Sequence, residues 1–169
     1  KINNIQVGSR NWIQYSSFPS TIQGWSGVNS SVWKINTSQK FRGNNSICAN
    51  RSGLTSDGWT ELLSNKINVN QGDKVVGSWY IKYRDCDQQS IVALWGYKSD
   101  GTGRKDISSS VGLLGTNANW TRYVLKGTVP ADVAYVRLAI SHKRNGIIYA
   151  AMPQLEFGDT ATDWNPAPE

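Results

Sequence analysis

The sequence predicts an all-β fold, a two-sheet antiparallel β-sandwich of the jelly-roll type. Apolar and polar residues alternate with period two along much of the chain, while the spacing of an amphipathic helix is almost absent. Short apolar runs are separated by turn phrases at intervals of roughly 8–15 residues, which is typical of sandwiches and jelly rolls. Ser, Thr, Asn and Gly dominate the polar residues, which favours strands and turns over helices.

Ten short segments fit strands, near residues 2–7, 11–15, 31–35, 46–50, 58–69, 74–84, 90–98, 120–128, 133–141 and 147–156. The clearest turn between them is Asn145-Gly146, because both residues tolerate positive φ in a two-residue hairpin. No linker or repeat divides the chain, so residues 1–169 are predicted to form a single domain that buries one core. Since the sequence starts with neither Met nor a signal-peptide pattern, we expect a module of a longer polypeptide.

The two faces of the predicted strands differ in composition. In KVVGSWYIKYR one face is apolar and is predicted to be buried: Val75, Gly77, Trp79, Ile81 and Tyr83. The opposite face carries Tyr80 and Lys82, and in VAYVRLAIS the outward side carries Arg137. In SIVALWGYK either face fits the core, so the side taken by Trp95 stays open. A solvated face does not require Tyr, Lys and Arg together, and this excess indicates a binding surface.

Catalytic chemistry is poorly represented in the sequence. The one histidine, His142, lies at a predicted strand end beside a turn, and no Ser or Cys stands in a nucleophile context, so His142 is interpreted as structural or surface-exposed. Most acids fall in turns, and only Glu61 and Glu156 lie within predicted strands. Cys48 and Cys86 fit no metal-ligand spacing and are expected to be unpaired thiols. The sequence therefore predicts a protein that is not an enzyme.

The charge pattern narrows the class of partner. The net charge is +6, but Lys and Arg are scattered along the chain, adjacent only at Arg104-Lys105 and Lys143-Arg144, without the dense stretch of a nucleic-acid-binding arm. An anionic polymer, such as a phosphate-bearing surface polysaccharide, is compatible with the same charge. No stretch of 18 apolar residues occurs, so a membrane is not an expected partner. The scattered charge makes nucleic acid an unexpected partner as well.

Four phrases resemble a known family when they are taken in order. FRGNNSICAN, DKVVGSWYIKYRD, NWTRYVLKGTVPADVAYVRLAI and IYAAMPQLEFGDTATDWNPAPE look like the carbohydrate-binding modules of tail and baseplate proteins of bacteriophages that infect Gram-positive bacteria. These modules are similar to the jelly-roll modules appended to bacterial glycoside hydrolases. The resemblance runs over roughly residues 10–169, and its most specific part is the ending.

The resemblance implies roles for the end of the chain. Leu155 is expected in the core, and Trp164 is expected to cap an open end of the sandwich as a structural residue. Related modules often hold one structural calcium ion, but AAMPQLE lacks the Asp that is typical of calcium-binding relatives. We therefore expect no cofactor, with a structural calcium ion as the alternative, and assign no metal ligands.

Sugar binding requires aromatic rings against C–H faces, with amides, Arg or carboxylates bonding to hydroxyl groups. The candidate carbohydrate-binding residues are Trp59, Tyr80, Lys82, Trp95 and Arg137. Each has an alternative: Tyr80 and Arg137 equally fit a solvated sheet, and Trp59 and Trp95 equally fit packing. Trp79 and Trp120 are both predicted to be core.

The sequence thus predicts a non-catalytic module of a phage tail or baseplate that binds host cell-surface saccharides. Its partners would be bacterial cell-wall or capsular polysaccharide and other tail or baseplate proteins, and it would act in the virion, outside the host cell. The alternatives are a protein–protein adaptor of a tail assembly, since a fold does not fix a function, and an accessory module of a secreted glycoside hydrolase.

Overall fold

The computed structural model describes residues 10–168 and confirms the all-β antiparallel sandwich. Its elements are one short 3-10 helix, Ser30–Val32, and the strands β1 Lys34–Phe41, β2 Asn44–Arg51, β3 Thr60–Leu63, β4 Ile67–Asn68, β5 Lys74–Tyr97, β6 Lys105–Asp106, β7 Val111–Thr128, β8 Tyr135–His142 and β9 Gly146–Phe157. Over the described part of the chain, no helix has the length and apolar character needed to cross a membrane. The strand predicted near 2–7 lies outside the described residues.

The strands form one curled sheet in which every pairing is antiparallel and the main order is β1-β2-β9-β5-β8-β3. The long strand β5 belongs to both layers of the sandwich. Its first half, up to Arg84, pairs with β9, and its second half, from Ile91, pairs with β8. We call β1, β2, β9, the first half of β5 and the second half of β7 the first layer. The second layer contains β3, β8 and the second half of β5.

Several predicted strand boundaries are corrected by the structure. The segments 74–84 and 90–98 are one strand, because the polar residues between them continue to pair with β7 through register shifts and a bend at Asp85, whose φ is 56°. The segment 58–69 divides into β3 and β4, and β1 begins only at Lys34.

Residues 11–15 form an irregular turn where a strand was predicted. The buried side chain of Asn11 accepts hydrogen bonds from the backbone N–H groups of Ile13 and Leu155, at 2.9 and 3.1 Å. It also donates to the carbonyl oxygens of Pro153 and Asn165, at 3.1 and 2.8 Å. One side chain therefore ties the N-terminal segment to β9 and to the C-terminal tail, in place of a strand ladder.

The main core lies between the two layers. Trp79 and Leu138 are fully buried there, and an added Cβ on Gly77 would lie 2.8 Å from Leu138 Cδ1, so the layers meet closely at this point. The inward positions Val75, Trp79 and Ile81 and the predicted core residue Leu155 are all confirmed as fully buried. The N-terminal segment closes the core with four further side chains: Ile13, Phe18, Trp25 and Trp33.

Two tryptophans lie elsewhere than expected. Trp120 is half-buried on the outer face of the first layer, so its prediction as a core residue is wrong. Trp164 packs against the same outer face, beside Tyr80 and Met152, and its Nε1 donates to the carbonyl oxygen of Pro153 at 3.2 Å. Trp164 thus has a structural contact, but it covers part of a sheet face and does not cap an end of the sandwich.

Candidate functional site

The outer face of the second layer carries its own apolar cluster, separate from the main core. Strand alternation places Val92 and Leu94 inside and turns their neighbours Ala93, Trp95 and Tyr97 outward. The outward set continues onto β8 and β3 with Tyr135, Ala139 and Leu63. Because antiparallel partners share a face, Arg137 joins this set directly opposite Trp95.

A groove of about 350 Å³ crosses this face. We call it the aromatic groove, and its lining residues are Val28, Trp59, Glu61, Ile91, Trp95, Arg104 and Ser141. A larger depression of about 450 Å³ lies at the turns after β5 and before β8, but Lys98, Ser99, Asp132, Val133 and Ala134 give it no aromatic ring. The aromatic groove therefore has the better chemistry for a ligand with apolar faces.

Trp95 forms the floor of the aromatic groove and is held from two sides. Its Nε1 donates to Asp106 Oδ1 at 2.9 Å, and Asp106 is its direct partner on β6. The Arg104 guanidinium carbon lies 3.7 Å from the Trp95 ring centroid, and Arg104 Nη1 donates to Glu61 Oε2 at 3.3 Å. Trp95 is only 5% exposed, because the guanidinium covers its ring. The groove thus presents a donor–acceptor pair above an aromatic floor.

Trp59 forms the lip of the aromatic groove and is 37% exposed. The loop that carries it is fixed by backbone contacts, since Gly58 N donates to the carbonyl oxygen of Lys143 at 2.9 Å and the side chain of Asn29 donates to the carbonyl oxygen of Trp59 at 3.2 Å. The Lys143 ammonium lies 5.6 Å from the Trp59 ring centroid. Trp59 therefore offers a partly open ring on an anchored loop.

Ser141 and Arg137 complete the polar groups on this face. Ser141 lies between Glu61 and Ile91 in register, and its buried hydroxyl has no hydrogen-bond partner among the described residues. Arg137 donates through Nε to the carbonyl oxygen of Ser64 and through Nη2 to Ser26 Oγ, both at 2.6 Å. Burial lowers the pKa of Arg137. Arg137 is thus committed to protein contacts beside the groove, whereas the Ser141 hydroxyl, unpartnered within residues 10–168, is buried beneath the groove surface.

The structure divides the five predicted site residues between two faces. Trp59 and Trp95 line the aromatic groove, and Arg137 lies beside it. Tyr80 and Lys82 lie on the outer face of the first layer, because β5 changes layers between Arg84 and Ile91. The expectation that Tyr80 is open to solvent is wrong: it is 9% exposed and packs 4.6 Å from the Phe41 ring.

Five groove residues were not predicted from the sequence: the polar Glu61, Arg104 and Ser141 and the apolar Val28 and Ile91. Glu61 was noted as an acid within a strand, and the register that brings it opposite Ser141 has no local sequence signal. Arg104 reaches Trp95 from outside the strand, where alternation gives no information.

His142 is buried in a closed contact and does not face the groove. Its Nδ1 lies 2.8 Å from Ser90 Oγ, and its Nε2 lies 2.9 Å from the carbonyl oxygen of Gly146. Ser90 and His142 are both fully buried, and burial lowers the pKa of His142. Because a backbone carbonyl occupies the side where a triad acid would stand, this Ser–His pair is a structural contact. Residues 10–168 contain no cluster of three potential His, Cys, Asp or Glu metal ligands.

Comparison with known proteins places the chain by its fold. No family model and no curated protein sequence matches it. Solved structures do, and carbohydrate-binding modules are prominent among them, so the chain has a carbohydrate-binding-module fold.

Three of these structures illustrate the likeness. The CBM22-1 xylan-binding domain of Paenibacillus barcinonensis Xyn10C is 14% identical, with a TM-score of 0.63 over 93% of this chain and 100% of that domain. TmCBM61, solved with β-1,4-galactotriose, is 14% identical, with a TM-score of 0.59 over 89% of this chain and 100% of its own. The enzymatically active domain of bacteriophage CBA120 tailspike protein 4 is 11% identical, with a TM-score of 0.65 over 88% of this chain but only 21% of that structure.

Proposed function

We propose that the protein is a non-catalytic module that binds saccharides in the aromatic groove. The observation that carries this proposal is the combination of a partly open indole and an Arg–Glu pair in one shallow groove, contributed by Trp59, Arg104 and Glu61. Trp59 would contact the C–H face of a sugar ring. The Arg104 guanidinium donates and the Glu61 carboxylate accepts, which suits neighbouring hydroxyl groups on the ring edge.

The fold supports this use of the groove. Solved neighbours include a domain named as xylan-binding and a module named as bound to β-1,4-galactotriose. The groove is partly open to solvent, and a saccharide that lies against a sheet face needs such an opening. A shallow groove with one exposed ring leaves little surplus over the cost of association, so we expect weak binding at a single site.

The biological setting that we propose is a phage tail or baseplate, with the module binding polysaccharide on the surface of a bacterial host. Support comes from the resemblance of the phrases around β2, β5, β8 and β9 to phage tail modules, and from the fold likeness to part of a phage tailspike protein. Several copies on one particle would raise the overall binding by roughly 10²–10⁴.

The test is affinity electrophoresis of the purified chain through gels that contain xylan, galactan or purified Gram-positive wall polysaccharide. We expect at least one polysaccharide to retard the protein while albumin in a neighbouring lane is unaffected, and we expect no release of reducing ends on long incubation. If the folded chain, displayed as a multimer, is retarded by none of them and does not bind intact Gram-positive cells, the proposal fails and a protein–protein adaptor becomes the better account.

A further inference from the structure

The outer face of the first layer carries a second aromatic cluster, on a different layer from the aromatic groove. At its centre the Tyr80 ring centroid lies 4.6 Å from that of Phe41, which lies 5.3 Å from that of Trp120. Tyr149 joins this face because it pairs directly with Lys82 between β9 and β5. These rings do not stabilise the main core, since they lie on the opposite side of the layer from Trp79 and Ile81.

Three cations lie over these rings. Lys82 Nζ is 5.1 Å from the Trp120 centroid and 5.5 Å from the Tyr149 centroid. The Arg42 guanidinium carbon is 4.9 Å from the Phe41 centroid and 5.2 Å from the Tyr80 centroid, and that of Arg122 is 5.4 Å from Tyr80. We call this set the basic aromatic face: Phe41, Arg42, Tyr80, Lys82, Trp120, Arg122 and Tyr149.

The positive charge of the basic aromatic face is not neutralised within residues 10–168. The ion pairs found there join other cations, such as Arg104 with Glu61, and include none of Arg42, Lys82 and Arg122. Lys82 instead donates to the Gln39 amide oxygen at 2.6 Å, and Arg122 donates to Ser78 Oγ at 3.1 Å and to the carbonyl oxygen of Thr162 at 2.6 Å. Neutral acceptors orient these cations but leave their charge available to a ligand.

The backbone at Arg42 adds an independent observation. Arg42 and Gly43 join β1 to β2 in a two-residue turn with φ values of 49° and 81°. Both positions require positive φ, where Asn is the favoured residue at the first position. An Arg in this conformation costs free energy that Asn would not. The turn therefore holds a guanidinium over Phe41 and Tyr80 at the expense of backbone preference.

The spacing of the charges indicates an extended ligand. Lys34 pairs with Cys48, which pairs with Tyr149, which pairs with Lys82, so both lysines lie in one row across four strands. Three strand spacings separate them by about 14 Å. The cleft beside Lys82 has a volume of only about 140 Å³, which suits a small anionic group better than a whole sugar or base.

We infer that the basic aromatic face is a second binding site, which takes an anionic glycan whose phosphate or carboxylate groups contact Arg42, Lys82 and Arg122. The central Tyr80 ring is only 9% exposed and packs against Phe41, so it offers no open platform on which the bases of a single-stranded nucleic acid could stack. The choice of a glycan rests on the proposed function, whereas the existence of an anion site rests on the unpaired cations alone.

The test measures binding of the full chain to dextran phosphate, with unmodified dextran, polygalacturonate and oligo(dT) as comparison probes. The test variant is Arg42→Asn/Lys82→Gln, which removes two charges and gives the turn its favoured residue. The matched control is Lys98→Gln/Lys105→Gln, which removes two exposed charges near the second layer and changes the net charge equally. Thermal unfolding of both variants checks that each is folded.

We expect the test variant to lose about tenfold or more in affinity for dextran phosphate and about 1 to 2 units in the slope of log affinity against log salt. The control variant and Trp59→Ala should retain binding of dextran phosphate, and polygalacturonate should also bind, because its carboxylates fit the same cations. Equal losses in the test and control variants would overturn the site, because net charge alone would then explain binding. Loss of dextran phosphate binding in Trp59→Ala would place the anionic chain in the aromatic groove, and tighter binding of oligo(dT) would reject a glycan.

Discussion

Replacing Trp59 by Ala is the sharpest test of the aromatic groove, because this ring is the one groove aromatic with a substantial exposed surface. Trp59 is 37% exposed. For a side chain of about 250 Å², this corresponds to about 90 Å² that a sugar can cover. At about 25 cal/mol per Å² the covered surface contributes at most ~2 kcal/mol to binding. The affinity for a retained polysaccharide should therefore fall by up to roughly 40-fold, and by roughly sevenfold if half of that surface is covered.

The matched control is Trp12→Ala. Trp12 is also half-buried, with its ring 5.7 Å from that of Phe157, but it does not line the aromatic groove. Both variants should unfold at lower temperature than the wild type, whereas only Trp59→Ala should lose affinity in isothermal titration with the polysaccharide that retards the wild type. The affinity of Trp59→Phe should lie between those of the wild type and Trp59→Ala, because Phe keeps part of the aromatic surface. Unchanged affinity of Trp59→Ala, or an equal loss in Trp12→Ala, would refute the assignment of the groove.

Three further measurements test buried parts of the fold outside the groove. Because burial lowers the pKa of His142, the folded state favours the neutral imidazole. The NMR resonance of this imidazole, which belongs to the only histidine in the sequence, should therefore titrate below pH 6.5. The stability linked to His142 should be present above pH 6.5 and lost as the pH falls. Burial raises the pKa of Cys48 to about 11 and that of Cys86 to about 12. Alkylation of these thiols at pH 8 should therefore be slow in the folded chain and fast in urea. The stability linked to both thiols should decline as the pH rises above 9. Asn11→Ala should destabilise the fold by about 1–3 kcal/mol in urea unfolding, because it leaves the buried N–H of Leu155 without an acceptor; a loss near zero would show that the N-terminal segment is held by its apolar contacts alone.

The part of the fold that follows from alternation was predictable from the sequence. Period two in KVVGSWYIKYR assigns Trp79 and Ile81 to the core, and the same period in VAYVRLAIS sets Arg137 apart from Leu138. What alternation leaves out is which strands become neighbours. Trp95 lies opposite Arg137 only because β5 pairs with β8, and this long-range pairing leaves no mark within either segment.

The failure over Tyr80 has a specific physical cause. Alternation turns Tyr80 away from the main core, but it does not reveal that Phe41 on β1 covers the Tyr80 ring. Tyr80 and Trp95 were predicted on separate strands, and the structure places both on β5. The bend at Asp85 carries the strand from the first layer into the second, and the two rings end on different layers of the sandwich. Trp120 was misassigned for a related reason. It begins an apolar predicted strand, but its side chain lies on the outer face of the first layer, beside Phe41.

On both outer faces, cations lie over aromatic rings, and these contacts affect how a sugar would bind. Arg104 lies over Trp95, Lys143 over Trp59 and Lys82 over Trp120. Such a contact is worth about 0.5–1 kcal/mol at an exposed site. A sugar that displaces Lys143 from the partly exposed Trp59 ring therefore gives up little, and the ammonium that is released becomes a donor at the edge of the same sugar. Because the exchange costs little and also gains little, each site should bind weakly and reversibly, and firm attachment should depend on the number of modules that engage one polysaccharide.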